Sequence, residues 1–446
     1  MTHTPADPET PSGTLFAPGR RAACAGAIAL ISMLAFETLA VVTAMPAVAA
    51  ALDGLQLYAL AFGVTLATSM VGMVLGGEVC DRRGARRSTV LGLLLFLSGL
   101  LLAGLAPQMA LLVLGRAVQG LGGGMLGVAL YVGLGQLVPA ALHPKMFAMF
   151  AAAWVVPGLV GPALASLLVI TLGWRWVFLA VALAVPVAAA LLLPALRRAG
   201  RGDGGVLRWQ RLRWAVAAAA GAVILHLASQ AGAWAWPLLL LGLALALWAA
   251  APLLPPGSLR AQPGLPAVVL LRGLLAAAYA SAEAFIPLVL NHRFEWSLGA
   301  AGLALSVGAG AWSLGSAMQA RAHQPARRRL VFQLGLGLCA AGLLLVWLTV
   351  SRSFAAPLVV LGWGVALTGV GLSFPMLSVL TLQLSAPEEQ GANSSALQLS
   401  DALFSSAALA LAGLLYLPET EPFAAVLAVS LAVALLALAL GPRAYR

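Results

Sequence analysis

Long apolar segments follow one another along almost the whole chain and are separated by short loops that carry arginines. A helix needs about 20 apolar residues to cross the hydrocarbon of a bilayer. Of the 446 residues, 62% are hydrophobic and only 9% are charged, whereas a soluble protein carries about 25% charged residues. No soluble fold can cover so much apolar surface, so the sequence predicts an integral membrane protein.

The apolar segments predict fourteen transmembrane helices, with two groups of six flanking a central pair. The expected fold class is therefore all-α. A helical pair crosses the membrane twice, so its insertion leaves the orientation of both groups unchanged. The predicted organisation is a cytoplasmic tail (1–21), an N-terminal six-helix bundle (22–196), a basic cytoplasmic linker (197–213), an inserted transmembrane hairpin (214–254), a second cytoplasmic linker (255–266), a C-terminal six-helix bundle (267–441) and a cytoplasmic tail (442–446).

The basic residues predict the orientation of the chain. Most of the 25 lysines and arginines fall in loops on one side, including 82–87, 197–213 and 327–329. Cytoplasmic loops carry an excess of such residues, so both termini are expected in the cytoplasm. A net charge of +11 would suggest nucleic acid in a soluble chain, but here it serves topology and no nucleic-acid partner is expected. The Ala-, Leu-, Gly- and Arg-rich usage favours a bacterial inner membrane.

The two bundles carry a related pattern in their fourth predicted helices. In each, Leu-Gly-x-x-Val is followed by two glycines at the same distances. The members are residues 114–118 with Gly122 and Gly124, and residues 361–365 with Gly369 and Gly371. A weaker copy of the stretch 77–87 is expected at 315–329, with Gln319 in the place of Asp81. These patterns predict that the bundles are internal repeats.

The loop GEVCDRRGARR, residues 77–87, resembles the signature loop of the major facilitator superfamily. The matching residues are Gly77, Asp81, Arg82, Gly84, Arg86 and Arg87. Residues 114–120, with Arg116 and Gln119, resemble the fourth-span motif of the same family. The number of predicted spans is similar to that of its fourteen-span drug/proton antiporter branch.

A motif in the fifth predicted span resembles the glycine-proline motif of proton-driven exporters in part. Its helix-bending residues are Pro157, Gly158, Gly161 and Pro162. Pro157 stands where the family usually has glycine, and Ala165-Ser166 replaces a glycine pair. The resemblance implies a secondary transporter that works by alternating access and exports amphipathic or cationic organic compounds. Two alternatives stay open: an exporter or flippase of a lipid-like or endogenous metabolite, and proton-coupled uptake of an anionic metabolite.

Asp81 is the acid of the signature motif. The resemblance implies that it meets the eleventh span of the twelve-span core, near residues 388–393, and that this contact holds the outward-open state. The alternative is a charge cluster that only sets topology. The glycines at 77 and 84 fit a tight turn between closely spaced helices.

Five charged residues lie within predicted spans, where each costs about 2.5–3.5 kcal/mol on insertion scales. They are Glu37, Arg116, Arg272, Glu283 and Asp401. The three acids are candidates for proton coupling, since an apolar cavity favours their neutral form; each could instead make a structural interhelical contact. Arg116 is expected to pair with one of the acids or to bind an anionic substrate. Arg272 is expected to snorkel to the cytoplasmic surface.

The candidate cavity and substrate residues combine charge with mid-span aromatic rings, which either stack on a substrate or pack in the core. They are Glu37, Arg116, Gln119, Trp154, Glu283, Trp312 and Trp363. The expected partners are a small-molecule substrate, protons and the lipid bilayer, and the expected state is a monomer. No cofactor or metal is expected, and no Gly-x-x-x-x-Gly-Lys loop suggests ATP. The spans show no nucleophile–base or metal cluster, so an enzyme is not expected.

Overall fold

The computed structural model describes residues 15–17, 20–54, 57–200, 204, 206, 208–228, 231–296, 298–322, 324–415 and 423–445. These residues form fifteen α-helices and no β-strand. Most of the predicted N-terminal tail lies outside the described residues. The helices are α1 (Arg21–Ala51), α2 (Tyr58–Arg83), α3 (Ala85–Gly104), α4 (Met109–Leu137), α5 (His143–Ala152), α6 (Val155–Thr171), α7 (Arg175–Leu192), α8 (Trp209–Ala228), α9 (Ala235–Ala250), α10 (Leu265–Leu288), α11 (Leu298–Ala320), α12 (Pro325–Ser351), α13 (Pro357–Gln383), α14 (Gln390–Leu415) and α15 (Phe423–Leu440).

Eleven segments of the described part are long and apolar enough to cross a membrane. They are built on α1–α4, α7, α9, α10 and α12–α15. The three other predicted spans correspond to α5 with α6, to α8 and to α11. A multi-pass, all-helical membrane protein is thereby established, and the count of fourteen stays a prediction.

The two predicted bundles pack in the same way. In the N-terminal bundle α4 lies against α2 and α3, and in the C-terminal bundle α13 lies against α11 and α12. A methyl group at Gly122 would overlap the backbone of Phe96 on α3, and one at Gly369 would overlap the backbone of Cys339 on α12. Only glycine allows backbones to approach this closely, which is a common device between membrane helices. The repeated glycines therefore make equivalent contacts in the two bundles.

The structure corrects the predicted copy of the signature loop. Gly72 on α2 abuts the carbonyl of Leu121, and Gly315 on α11 abuts the carbonyl of Thr368, the equivalent position on α13. Gly315 thus corresponds to Gly72 rather than to Gly77. The prediction that Gln319 stands in the place of Asp81 is wrong, because the packing shifts the correspondence from position 77 to position 72, which is about 1.4 helical turns.

The fifth predicted span is broken into α5 and α6 at a proline. Pro157 has no N–H, and its ring excludes the carbonyl four residues earlier from the helical ladder. That carbonyl belongs to Ala153, and it accepts a hydrogen bond of 2.8 Å from the hydroxyl of Ser32 on α1. The break is therefore stabilised by α1, which compensates the lost backbone bond.

The inserted hairpin consists of α8 and α9, which approach closely at Gly221 and Gly242. The rings of Trp214 and Trp248 meet edge to face at 4.7 Å. Helix α8 contacts both α2 and α14, and α9 contacts α14. The hairpin therefore touches both bundles.

Candidate functional site

The first candidate cluster joins α1 to α4. The guanidinium of Arg116 pairs with the carboxylate of Glu37 through Nη1 and Oε1. The same nitrogen donates to the Oε1 of Gln119 at 2.9 Å. All three side chains are buried, and Arg116 Nε and Gln119 Nε2 have no acceptor among the described residues. The prediction that Arg116 pairs with a membrane acid is confirmed, and its partner is Glu37.

The second candidate cluster joins α10, α13 and α14. Arg272 Nε donates to Asp401 Oδ2 at 3.1 Å, and its Nη1 donates to the hydroxyl of Ser378 at 3.0 Å and to the carbonyl of Phe374 at 3.3 Å. The guanidinium also stacks on the ring of Phe374, 3.4 Å from its centroid. Arg272 is only 3% exposed. The expectation that it snorkels to the surface is wrong, because an acid on another helix neutralises it inside the bundle.

One face of α10 continues outward from Arg272 through Tyr279 to Glu283. The spacings of seven and four residues place these side chains within about 60° of one another on a helix that turns 100° per residue. The ring of Tyr279 meets those of Trp312 and Phe374 at 5.0 and 5.8 Å. This face of α10 is therefore turned toward α11 and α13. It carries an acid close to a cluster of three aromatic rings, one from each of these three helices.

Glu283 differs from the other membrane acids. Its side chain is exposed although it shares the interior face of α10, and it has no hydrogen-bond or ion-pair partner in the described part of the chain. Pro287 lies four residues later, so the carbonyl of Glu283 also loses its helical donor. An exposed acid without a partner in the described residues is free to bind a proton or a cation.

The two bundles are closed against each other at the ends that lie near Asp81. A methyl group at Gly127 would lie 2.7 Å from Gln398 Oε1, and one at Gly135 would lie 2.8 Å from Leu382. The hydroxyl of Tyr131 on α4 lies beside the guanidinium of Arg272 on α10. Each of these contacts crosses from the N-terminal to the C-terminal bundle. The halves of the two bundles on this side therefore meet.

Asp81 makes the outermost of these closing contacts. Its Oδ1 accepts from the backbone N–H of Gly391 at 2.6 Å, and its Oδ2 accepts from that of Ala392 at 2.8 Å. These are free N–H groups of the first turn of α14, where a negative charge is stabilised by the helix dipole. Gly77 allows the approach, since a methyl group there would lie 2.6 Å from the carbonyl of Gly391. The contact lies within the stretch that the family resemblance implies, and its role as a gate stays a prediction.

Sequence analysis overlooked Glu78. It is 5% exposed and accepts from Arg211 Nη1 at 2.9 Å, from the backbone N–H of Arg208 at 3.3 Å and from Arg82 Nε at 3.3 Å. The remaining matches of the signature loop are placed differently: Gly84 turns the chain with φ +85°, and Arg86 and Arg87 are exposed. The signal available in the sequence was an acid within an arginine-rich stretch, because such an acid needs partners if it is buried.

The three tryptophans predicted to contact a substrate lie in different environments. Trp154 is 48% exposed at the junction of α5 and α6, and Trp312 joins the aromatic cluster with a buried Nε1 that has no partner in the described residues. Trp363 is fully buried and packs against Gly308 between α13 and α11. In this conformation Trp363 is a core residue, which fits the packing alternative, and a role in the substrate cavity stays a prediction.

The helix-bending residues of the fifth span also differ in their surroundings. Pro157 is buried at the break, Gly158 is exposed with open space beside it, and Gly161 lies in contact distance of Phe36 and Leu39 on α1. The side chain of Pro162 lies outside what the structure describes. At Gly161 the motif therefore packs against α1, the helix that carries Glu37.

His143 is the first residue of α5 and is buried. Its Nε2 lies 3.0 Å from the carbonyls of Gly135 and Val138. Burial lowers the pKa of His143 below its usual range, although the two carbonyls oppose the shift. The neutral ring is therefore favoured in the folded protein.

Comparison with known proteins places this architecture in a family. The family model described as Major Facilitator Superfamily matches residues 25–409. The chain is 29% identical over 419 residues to a "Probable multidrug-efflux transporter" of Mycobacterium tuberculosis (strain CDC 1551 / Oshkosh), covering 87% of this chain and 85% of the relative. It is 33% identical over 148 residues to multidrug resistance protein 3 of Bacillus subtilis, covering 33% and 29%.

The fold also matches solved structures. The human organic anion transporter MFSD10 superposes with a TM-score of 0.73 at 14% identity, over 95% of this chain and 100% of that protein. At this identity the likeness concerns the fold alone.

Proposed function

This chain belongs to the Major Facilitator Superfamily, and on that premise we propose that it is a proton-coupled secondary transporter that exports amphipathic or cationic organic compounds. It would do so by alternating access between the two bundles, in fourteen spans of a bacterial inner membrane with both termini in the cytoplasm. The named relatives support export, since two of them carry multidrug-efflux or multidrug-resistance names.

Glu283 carries the proposal. Its exposed carboxylate has no partner among the described residues and lies one turn from Tyr279, whose ring packs with Trp312. A carboxylate attracts a cation, and aromatic faces bind both apolar surface and positive charge. A proton and a cationic compound would therefore compete for the same group. Such competition couples the outward movement of the compound to the inward movement of a proton.

The paired acids have a different part in the proposal. Glu37 and Asp401 are held by arginines inside their bundles. Each of these acids already has a charged partner, whereas Glu283 has no ion-pair partner among the described residues. Glu283 is therefore the first candidate for the coupling proton.

One observation favours a second candidate, the proton-coupled uptake of an anionic metabolite. Arg116 Nε and Gln119 Nε2 are buried donors with no acceptor in the described part of the chain. Glu37 already neutralises Arg116, so an anion would bind there only after Glu37 is protonated or displaced.

Transport by proteoliposomes tests the proposal. Ethidium serves as the cationic aromatic probe, and a pH gradient of either sign is imposed. We expect the gradient to drive ethidium in the direction opposite to protons, Glu283→Gln to abolish this movement, and the exposed control Glu389→Gln to retain it. Equal ethidium movement by Glu283→Gln without a gradient would contradict the proposal. Movement of an anionic probe together with protons would favour the second candidate.

A further inference from the structure

The end of α2 carries two acids, each of which binds the start of a different helix. Asp81 accepts from the first N–H groups of α14, in the C-terminal bundle. Glu78, one turn earlier, accepts from the N–H of Arg208 immediately before α8, in the inserted hairpin. Free N–H groups at a helix N-terminus favour a carboxylate. The hairpin is therefore tied to α2 by the same chemistry that ties α14 to it.

Arg211 strengthens this second attachment. Its Nη1 donates to Glu78 at 2.9 Å, while its Nη2 reaches the carbonyl of Leu253, which follows α9, at 3.4 Å. One side chain thus joins α2 to both ends of the hairpin. The backbone N–H of Gly204 in the preceding linker also donates to the carbonyl of Arg82 at 2.9 Å.

The apolar surroundings fit the same arrangement. Trp209 and Leu212 of α8 line a small gap together with Val74, Leu75 and Glu78 of α2. The Glu78 side chain is only 7% exposed, so water screens its ion pair with Arg211 weakly. The other faces of α8 and α9 contact α14. The hairpin therefore lies across the seam between α2 and α14, on the side where Asp81 closes it.

We propose that Glu78 is a positioning residue of the cytoplasmic gate: through Arg211 and the start of α8 it fixes the inserted hairpin to α2 and so holds Asp81 where it binds α14. When the gate opens, the hairpin stays with α14 and the contact between Glu78 and Arg211 separates, so this contact stabilises the closed state alone. Without this attachment, α2 is held less firmly in its closed position, and the population of the open state increases. This inference rests on the proposed alternating access.

The experiment measures the gate without substrate, so its failure is distinguishable from a failure of export. Spin labels replace the exposed residues Arg83 and Glu389 at the cytoplasmic ends of α2 and next to α14, in a background without the three native cysteines. Double electron–electron resonance then gives the populations of short and long distances between the two labels in nanodiscs. We expect Glu78→Gln and Arg211→Gln each to raise the long-distance population about tenfold, the effect of losing one charge-assisted contact.

Three further variants separate positioning from general destabilisation. Arg213→Gln removes an exposed charge from the same helix and should leave the distances unchanged. The double variant Glu78→Gln/Arg211→Gln should shift them by less than the sum of the two single variants, because both changes break the contact between Glu78 and Arg211. Arg211→Lys should restore part of the short-distance population. Unchanged distances in Glu78→Gln, or additive effects in the double variant, would overturn the proposal.

Discussion

Replacing Asp81 with asparagine keeps the shape of the side chain and removes its charge. The carboxylate accepts from Gly391 at 2.6 Å and from Ala392 at 2.8 Å, one bond to each oxygen. Asparagine has one acceptor oxygen, so the other N–H group would face an amide that also donates. The contact would lose one hydrogen bond and the attraction between a negative charge and the start of α14.

The magnitude follows from these two losses. A hydrogen bond to a charged group contributes about 1.5–3 kcal/mol, and a charge at a helix N-terminus contributes about 0.3–1 kcal/mol. The neutral amide costs less to remove from water than the carboxylate, which offsets part of these losses. The closed state would therefore lose at most about 2–4 kcal/mol relative to a state in which Asp81 is hydrated. Since about 1.4 kcal/mol is a factor of ten, the open population should rise by at most roughly 1,000-fold.

The label pair at positions 83 and 389 measures this population directly, and the thermal stability of the detergent-solubilised variant controls for misfolding. We expect long distances to dominate in Asp81→Asn, ethidium export to fall, and membrane insertion to be unaffected. If Asp81→Asn shows the wild-type distance distribution and full export, the contact with α14 is not a gate and the charge cluster serves topology alone.

Three other predictions concern stability, measured by thermal unfolding in detergent. Asp401→Leu should cost about 3–5 kcal/mol by leaving Arg272 buried without its counter-charge, and the added change Arg272→Met should recover much of that loss; equal stabilities would contradict the importance of the pair. Gly122→Ala should destabilise the protein because α3 occupies the space, whereas Gly337→Ala, with open space beside it, should be neutral or gain up to about 1 kcal/mol. Burial lowers the pKa of His143 in the folded state, so the unfolded state binds more protons at this residue. Stability should therefore fall as the pH drops below about 6.5. A His143→Gln variant that retained the full pH dependence would refute this assignment.

The sequence predicts the fold through two features that act over short distances. Hydropathy identifies the helices, and the paired glycines at 122 and 369 identify where backbones approach. The correspondence of Gly315 could not be derived in this way, since it depends on which carbonyl the glycine abuts. The arginines of the 315–329 loop suggested a different alignment, because the same charges are needed wherever a loop meets the cytoplasm.

The candidate site was predictable where a motif fixed the neighbours. Glu37 and Arg116 lie on adjacent interior helices, so their pairing could be anticipated as one of two possibilities. Arg272 illustrates what hydropathy misses: its position near a span end suggested snorkelling, yet its partner Asp401 lies 129 residues away. Glu78 was missed for the same reason, because its partner Arg211 belongs to an insertion 133 residues later.

Competition between a proton and a cationic compound for Glu283 can be measured by adding ethidium to purified, weakly buffered protein and recording proton release with a pH-sensitive dye. We expect stoichiometric release from the wild type and from Glu389→Gln, and none from Glu283→Gln. Equal release from Glu283→Gln, or ethidium binding to the wild type without any release, would contradict it.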